Sequence, residues 1–422
     1  MQFVVNSSSL HGQVIIPGSK SHTIRALVCA LLADGTSTIQ MPLDSSDTRS
    51  CLSMIRQFGA TVEEHEHEWV VKSNGAPQLP DDVIDVGNSG TSLYFGIGVA
   101  SLIPGMTVFT GDHQIRNRPA EDLLNAITEL GGYAVSTRSN GKPPVVVQGP
   151  IIGGHVSIRA ITSQYLSSLL VATPKAKHNT IIDVPLLNEA PYVGMTLWWL
   201  KELGIEYHHT GYEQFIVKGG QSYKPFTKYI PADFSSATFF MVAAAITQSS
   251  VVLKGLDFND TQGDKEVVNI LKAMGADVDI MPDAIAISGK PLKGGVFDLN
   301  AMPDALPALS VCACFADGET RLVNVPQARV KETDRIAVMC AELKKMGADI
   351  EELPDGLIIR KSTLEGAHVN GHHDHRVVMS LAVAGLAAEG STTIDTAESV
   401  SVTFPNFVEL MQALGASIRK EE

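Results

Sequence analysis

The chain has 422 residues, with 32 Lys and Arg against 46 Asp and Glu, a formal net charge of −14. Hydrophobic residues make up 44% and charged residues 18%, which excludes wholesale disorder, and the length allows two or three ordinary domains or two large ones. The acidic balance argues against broad binding to nucleic acid or an anionic membrane, while leaving room for a local basic cleft.

The N-terminus, MQFVVNSSSLHGQVIIPGSKS, begins with strand-like alternation and lacks a basic and apolar leader, so a mature cytoplasmic protein is expected. Apolar stretches such as 239–246 are too short to span a bilayer. Five cysteines (Cys29, Cys51, Cys312, Cys314 and Cys340) contain no CxxC pair, so neither a disulfide scaffold nor a structural zinc site is indicated. Cys312 and Cys314 lie in an apolar helical stretch and are expected in the core.

A helix end of the form apolar-Gly recurs along the chain at Gly59, Gly131, Gly204, Gly275, Gly347 and Gly415, with spacings of 72, 73, 71, 72 and 68 residues. Each glycine stands where a helix needs a left-handed cap, and a strand pattern follows it. Upstream in each unit lies a second helix rich in Ala and other apolar residues, as in 25–33, 237–245, 307–316 and 377–388. That first helix is apolar all round and is expected inside its domain, whereas the second, as in 264–272, is amphipathic and expected outside. Six such units form two three-unit domains dividing near residue 230.

Polar residues cluster where the buried helices begin: PGSKSHTIR (17–25), GNSGTS (87–92), TSQYLSS (162–168), ADFSSA (232–237), MPDALP (302–307) and HHDHR (372–376). Helix N-termini offer free amides and a positive dipole end, which favour phosphate or carboxylate. The basic residues fit an anion-binding cleft between the domains: Lys20, Arg25, Arg116, Arg118, Lys331, Arg335 and Arg376 all fall in or near these segments. Glu332, Asp334, Asp374 and Asp304 stand beside them, so an anion could be held while an acid or base moves protons. PGSKS is not a GxxxxGK[ST] loop and GNSGTS lacks the spacing of a dinucleotide fingerprint. His65 and His67 in EEHEHEW (63–69) alternate on one face of a strand, and a solvated strand edge is the expected role; HHDHR lacks further ligands that would make it a metal site.

Taken together, PGSKS with Arg25, SSDTR (45–49), GNSGT, RNRP, TSQY, APY (190–192), DFSSA, PDA (303–305), RVKETDR (329–335), DHR (374–376) and TFP (403–405) resemble the EPSP synthase branch of the enolpyruvyl transferase family along nearly the whole chain. The resemblance implies an α/β fold of two domains, each of three βαβαββ-type repeat units with buried parallel helices, an inside-out α/β barrel. It implies domains 17–230 and 1–16 plus 231–422, with the active site in the interdomain cleft. The activity it implies is transfer of the enolpyruvyl group of phosphoenolpyruvate to the 5-hydroxyl of shikimate 3-phosphate, with release of phosphate by addition and elimination. Neither cofactor nor metal is implied, and a monomer is expected.

By the same resemblance Asp304 is the base toward the acceptor hydroxyl, Glu332 the acid at the methylene, and Lys20 shares the proton work. Phosphoenolpyruvate would be held by Lys20, Gly90, Arg118, Gln164, Arg335 and Arg376. Ser21 and Arg25 would bind the shikimate carboxylate, with Lys20, Thr162, Ser163, Gln164, Tyr192, Asp304, Gln327 and Lys331 lining the rest of the phosphorylated ring's site. The chain departs from the family pattern at Glu189, where a serine usually reaches the substrate phosphate, and Arg159 is expected to pair with that carboxylate. It departs also at Tyr94, Gln114 and Val402, where many members carry Arg, Arg and Lys. Two further readings are a transferase with another acceptor (UDP-N-acetylglucosamine or a secondary metabolite) and a non-catalytic ligand-binding protein on the same scaffold.

Overall fold

The structure is a computed structural model and describes residues 1–422. In chain order the α-helices are α1 (Lys20–Leu32), α2 (Ser46–Gln57), α3 (Gly90–Ala100), α4 (Glu121–Glu129), α5 (Ser163–Ala172), α6 (Ala190–Glu202), α7 (Phe234–Ile246), α8 (Val267–Met274), α9 (Leu306–Cys314), α10 (Arg335–Lys345), α11 (His375–Gly385) and α12 (Phe407–Ala413). They alternate in character as the sequence pattern predicts. Every residue of α3, α7, α9 and α11 is buried, whereas α2, α4, α8 and α12 bury one face only. A helix apolar around its whole circumference has no face to give to water, so the sheets must enclose it.

Five of the six buried helices start on a side chain that accepts from a first-turn amide: Ser19, Ser89, Thr162, Asp233 and Asp374. Each satisfies a donor that helical geometry leaves open. The sixth, α9, follows a 3-10 turn at Pro303–Ala305 and carries Pro307 in its first turn, where the missing N–H costs nothing. All six glycines of the repeat, from Gly59 to Gly415, have φ between 72° and 109°, the left-handed region in which only glycine is unstrained. Gly98 has a different reason: a Cβ there would collide with Ser168 on α5, so the two buried helices approach through the absent side chain.

The strands form six four-stranded sheets. Three show the unit uninterrupted: Ile84–Asp85, α3, Met106–Thr110, α4, then Tyr133–Ser136 and Val145–Gln148; Gly154–Ala160, α5, Thr180–Leu187, α6, then Tyr207–Thr210 and Gln214–Val217; and Val296–Asp298, α9, Glu319–Val323, α10, then Asp349–Leu353 and Gly356–Arg360. The first two strands of a unit pair parallel across the buried helix and the last two form an antiparallel hairpin. Three sheets are completed by distant chain. Thr227–Tyr229 pairs with Asp34–Gln40, His11–Ile15 with Ser250–Lys254, and Gln2–Asn6 inserts between Ser391–Asp395 and Ser417–Glu421.

The chain divides into two compact units, Met1–Pro17 with Pro231–Glu422, and Gly18–Ile230, each with its own apolar core. Pro17 goes with the former, where its carbonyl accepts from the Asp233 amide. All five cysteines are buried and free, and burial pushes the Cys312 and Cys314 thiols up to about 12. One expectation fails locally. Thr61–His65 and Glu68–Asn74 are antiparallel partners, so Glu66 and His67 form the two-residue turn between them rather than continuing one strand. His65 and His67 therefore share no strand face, and both are exposed. No helix is long and apolar enough to cross a membrane.

Candidate active site

The residues singled out from sequence fall into two groups, one in each unit. In the unit built on α7, α9 and α11, the helix starts bring Asp304, Glu332, Arg335, Asp374 and Arg376 together. Arg335 opens α10 from the cap Asp334, whose side chain accepts from the Ala337 amide at 3.0 Å. Its guanidinium is 1% exposed and lies among three carboxylates. Nη1 donates to Asp304 at 2.8 Å, Nε to Asp374 at 2.8 Å, and Nη2 to both Glu332 and Asp374. Arg376, the second residue of α11, reaches the other oxygen of Asp304 at 3.1 Å. Asp304 and Glu332 keep 17% and 11% of their side chains exposed, more than the arginine that holds them.

The charges here are mutually held. Burial works to lower the Arg335 pKa, but Asp374, Glu332 and Asp304 outweigh it and raise it. Burial works to raise the Asp374 carboxyl, and Arg335 outweighs that, holding it below the ordinary aspartate range. Asp374 also accepts from Thr333 at 2.9 Å and from the Arg376 amide at 2.9 Å, so one residue starts α11 and anchors Arg335. The sequence reading noted Asp374 only as an acid near basic residues. Its place directly before an apolar helical run was the signal for the capping role. Gln327 is buried, donating to the Asn300 carbonyl at 3.0 Å while its Oε1 has no protein partner, and Lys331 is half-buried beside Glu332 in the chain.

His375 is a residue sequence reasoning missed. It is the first residue of α11, 1% exposed, and neither ring nitrogen has a hydrogen-bond partner. Burial holds its pKa down to about 3, against the pull of Glu332 and Asp374. The folded protein thus keeps His375 neutral while the unfolded chain protonates near its ordinary value of about 6.5. Unfolded chain binds the extra proton, so stability is full above about pH 6.5 and falls as pH drops toward 3, by about 1.4 kcal/mol per pH unit from this residue. Denaturant titrations from pH 4 to 7 should show a His375→Phe variant losing less stability on acidification than the parent. Equal slopes would mean that the imidazole takes up its proton in the folded state.

In the unit built on α1, α3 and α5, Lys20 opens α1 and its Nζ pairs with Asp47 Oδ2 at 3.1 Å, with both side chains largely covered. Asp47 lies in the first turn of α2, which begins on a reciprocal Ser45–Thr48 cap, so SSDTR is a helix start aimed at Lys20. Gly90 opens α3, and the Arg118 guanidinium packs at 3.6 Å from the point where its Cβ would be. Gln164 Nε2 reaches Thr91 Oγ1 at 3.4 Å, joining the starts of α5 and α3. Arg25 is 2% exposed, and burial lowers its pKa to about 10. Its guanidinium donates to Thr196 Oγ1 and to the carbonyls of Ser21 and Tyr192, and lies over the Phe95 ring. Ser21, half-buried, is thus tied to Arg25 through its carbonyl.

Glu189 is buried at the head of α6, and its Oε2 accepts from Thr162 Oγ1, Ser163 Oγ and the Ser163 amide. Arg159 is not its partner. That side chain is exposed on Gly154–Ala160, where Val156, Ile158 and Ala160 take the inward positions, and its charge acts on Asp122. Arg25 lies within the field of Glu189. Tyr94 donates to the Pro119 carbonyl at 2.7 Å, Gln114 accepts from Asn88, and Val402 closes a 3-10 turn.

A sequence profile described as EPSP synthase (3-phosphoshikimate 1-carboxyvinyltransferase) matches residues 4–411. A 3-phosphoshikimate 1-carboxyvinyltransferase of Ruminiclostridium cellulolyticum is 56% identical over 415 residues, 98% of each chain. The protein of that name from Methanocaldococcus jannaschii is 43% identical over 423 residues, again covering 98% of both. Among solved structures, EPSP synthase from Acinetobacter baumannii superposes with a TM-score of 0.83 over 100% of both chains, at 31% identity.

Proposed function

The chain belongs to the EPSP synthase family, and on that premise we propose that it transfers the enolpyruvyl group of phosphoenolpyruvate to the 5-hydroxyl of shikimate 3-phosphate. The observation that carries the reading is the pair of acids, Asp304 and Glu332, held on one buried arginine. The reaction needs two proton transfers on opposite partners. Glu332 gives a proton to C3 of phosphoenolpyruvate while Asp304 takes the hydroxyl proton, and the acceptor oxygen bonds to C2. Loss of a proton from the new methyl group then expels phosphate from C2 and restores the double bond. Each step moves charge onto or off the bridging carbon. Lys20 and Arg118 in one unit and Arg376 in the other are the proposed cationic partners of the phosphate and carboxylate.

Arg335 has a role distinct from direct anion binding. Three of its four bonds fix Asp304 and Asp374 and the fourth fixes Glu332, so it acts chiefly as a positioning residue for the acid and the base. For the acceptor, Ser21, Arg25, Thr162, Ser163, Gln164 and Tyr192 are the proposed ligands in one unit, and Gln327 and Lys331 those in the other.

Purified protein supplied with phosphoenolpyruvate and a panel of acceptors should release phosphate with shikimate 3-phosphate and leave UDP-N-acetylglucosamine unreacted. Release with UDP-N-acetylglucosamine alone would transfer the assignment to another acceptor within the enolpyruvyl transferases. Binding of both anions without turnover would favour a ligand-binding protein.

A further inference from the structure

Two of the proposed acceptor ligands, Thr162 and Ser163, are already occupied by a group from the protein itself. Thr162 Oγ1 at 3.1 Å, the Ser163 amide at 3.1 Å and Ser163 Oγ at 2.7 Å all converge on Oε2 of Glu189. Two are hydroxyls at the start of α5 and one is a first-turn amide, a donor set that suits an anionic oxygen. Glu189 is 2% exposed, so its carboxylate fills this place rather than brushing past it. Its backbone has φ 60° and ψ 40°, a left-handed conformation uncommon for a residue other than glycine, asparagine or aspartate. The turn that presents the carboxylate to these donors is therefore a specific one. Arg159, which could have drawn it away, is exposed on the outer face of Gly154–Ala160.

We propose that Glu189 is a built-in occupant of the phosphate seat, a carboxylate that stands in for the substrate anion and must be expelled before the acceptor docks. This rests on reading Thr162 and Ser163 as the acceptor-phosphate ligands. A phosphate and a carboxylate cannot share the same three donors, and each repels the other. In the free protein the carboxylate keeps buried donors satisfied and holds them in place. The binding-competent state, with Glu189 withdrawn, is a fraction of the population, and apparent affinity falls by that fraction. A phosphate dianion, with more charge and more acceptor oxygens, competes for the donors far better than a hydroxyl or a single carboxylate. The occupant thereby sharpens selection for a phosphorylated acceptor.

Two variants vacate the seat: Glu189→Ser, and Glu189→Asn, whose residue tolerates the left-handed backbone and guards against a folding defect. Steady-state kinetics should show the KM for shikimate 3-phosphate falling roughly tenfold or more in both, since the displaced interaction is a set of charge-assisted hydrogen bonds. Inorganic phosphate should become a correspondingly stronger competitive inhibitor against that acceptor. An unchanged or raised KM in both variants, with thermal melting intact, overturns the proposal. Ser163→Ala, made in the Glu189→Ser background, separates the two layers of the argument. If it raises the KM while Glu189→Ser fails to lower it, the seat stands and the occupant role falls. If it leaves the KM unmoved, the seat is elsewhere and both fall.

Discussion

An Arg335→Met variant should lose roughly 10²–10⁴-fold in turnover, because the acid and the base would both lose the group that aims them. It should also lose about 3–5 kcal/mol of stability, the usual cost of stripping the partner from a buried charge cluster. Both follow from a guanidinium that is 1% exposed and bonded to Asp304, Glu332 and Asp374. Lysine in its place would keep the charge but cannot fork to three carboxylates, so Arg335→Lys should recover part of the stability and little of the rate.

The pH dependence gives this prediction its sign. In the parent protein the folded pKa of Asp374 is depressed, so its contribution is full above the ordinary aspartate value of about 4 and is lost as pH falls through the lower folded value. In the methionine variant three carboxylates repel one another, and acid relieves that by protonating them. The stability gap between variant and parent should therefore narrow from pH 8 to pH 5. A constant gap over that range would mean that the carboxylates are not what Arg335 holds.

The second large effect belongs to the acids themselves. Asp304→Asn and Glu332→Gln should each reduce turnover by roughly 10²–10⁴-fold while changing KM modestly, since an amide oxygen can still accept from Arg335 but cannot move a proton. The two should differ in heavy water. Glu332→Gln removes the donor to C3, so deuterium entry at the methylene of phosphoenolpyruvate should fall with turnover. Near-parent rates in both variants would remove these residues from the proton transfers.

What the sequence made legible was what local physics controls. The cap glycines recur because a helix ending in a left-handed turn requires them, and that requirement does not depend on distant chain. The all-apolar helices announced their burial for the same reason. The failures are instructive because some signals were present. Arg159 alternates with Val156, Ile158 and Ala160, and period-two reasoning alone puts it on the outer face, away from Glu189. The Glu66–His67 turn carries neither glycine nor asparagine, so nothing in its composition interrupts the alternation. That Asp304, Glu332 and Asp374 share one arginine could not be read from spacing, because it depends on three helix starts meeting in space. His375 looked like one polar residue among several; only the helix begun by Asp374 takes it inward.

The strand Gln2–Asn6 has a consequence for how the protein comes into being. It sits in the middle of its sheet, with Gln2 opposite Glu421 and Phe3 opposite Ile394. On a ribosome this strand must wait, its edges bare, until Ser391–Asp395 and Ser417–Glu421 have been made. Gly18–Ile230 is continuous chain and can complete its core during synthesis. The order of birth is thus inverted for Gln2–Asn6: it is made well before either partner and is among the last strands to find its place. Loss of Ser417–Glu421 would bare one edge of Gln2–Asn6, and a nascent chain arrested before that strand emerges should present an unpaired strand edge to chaperones.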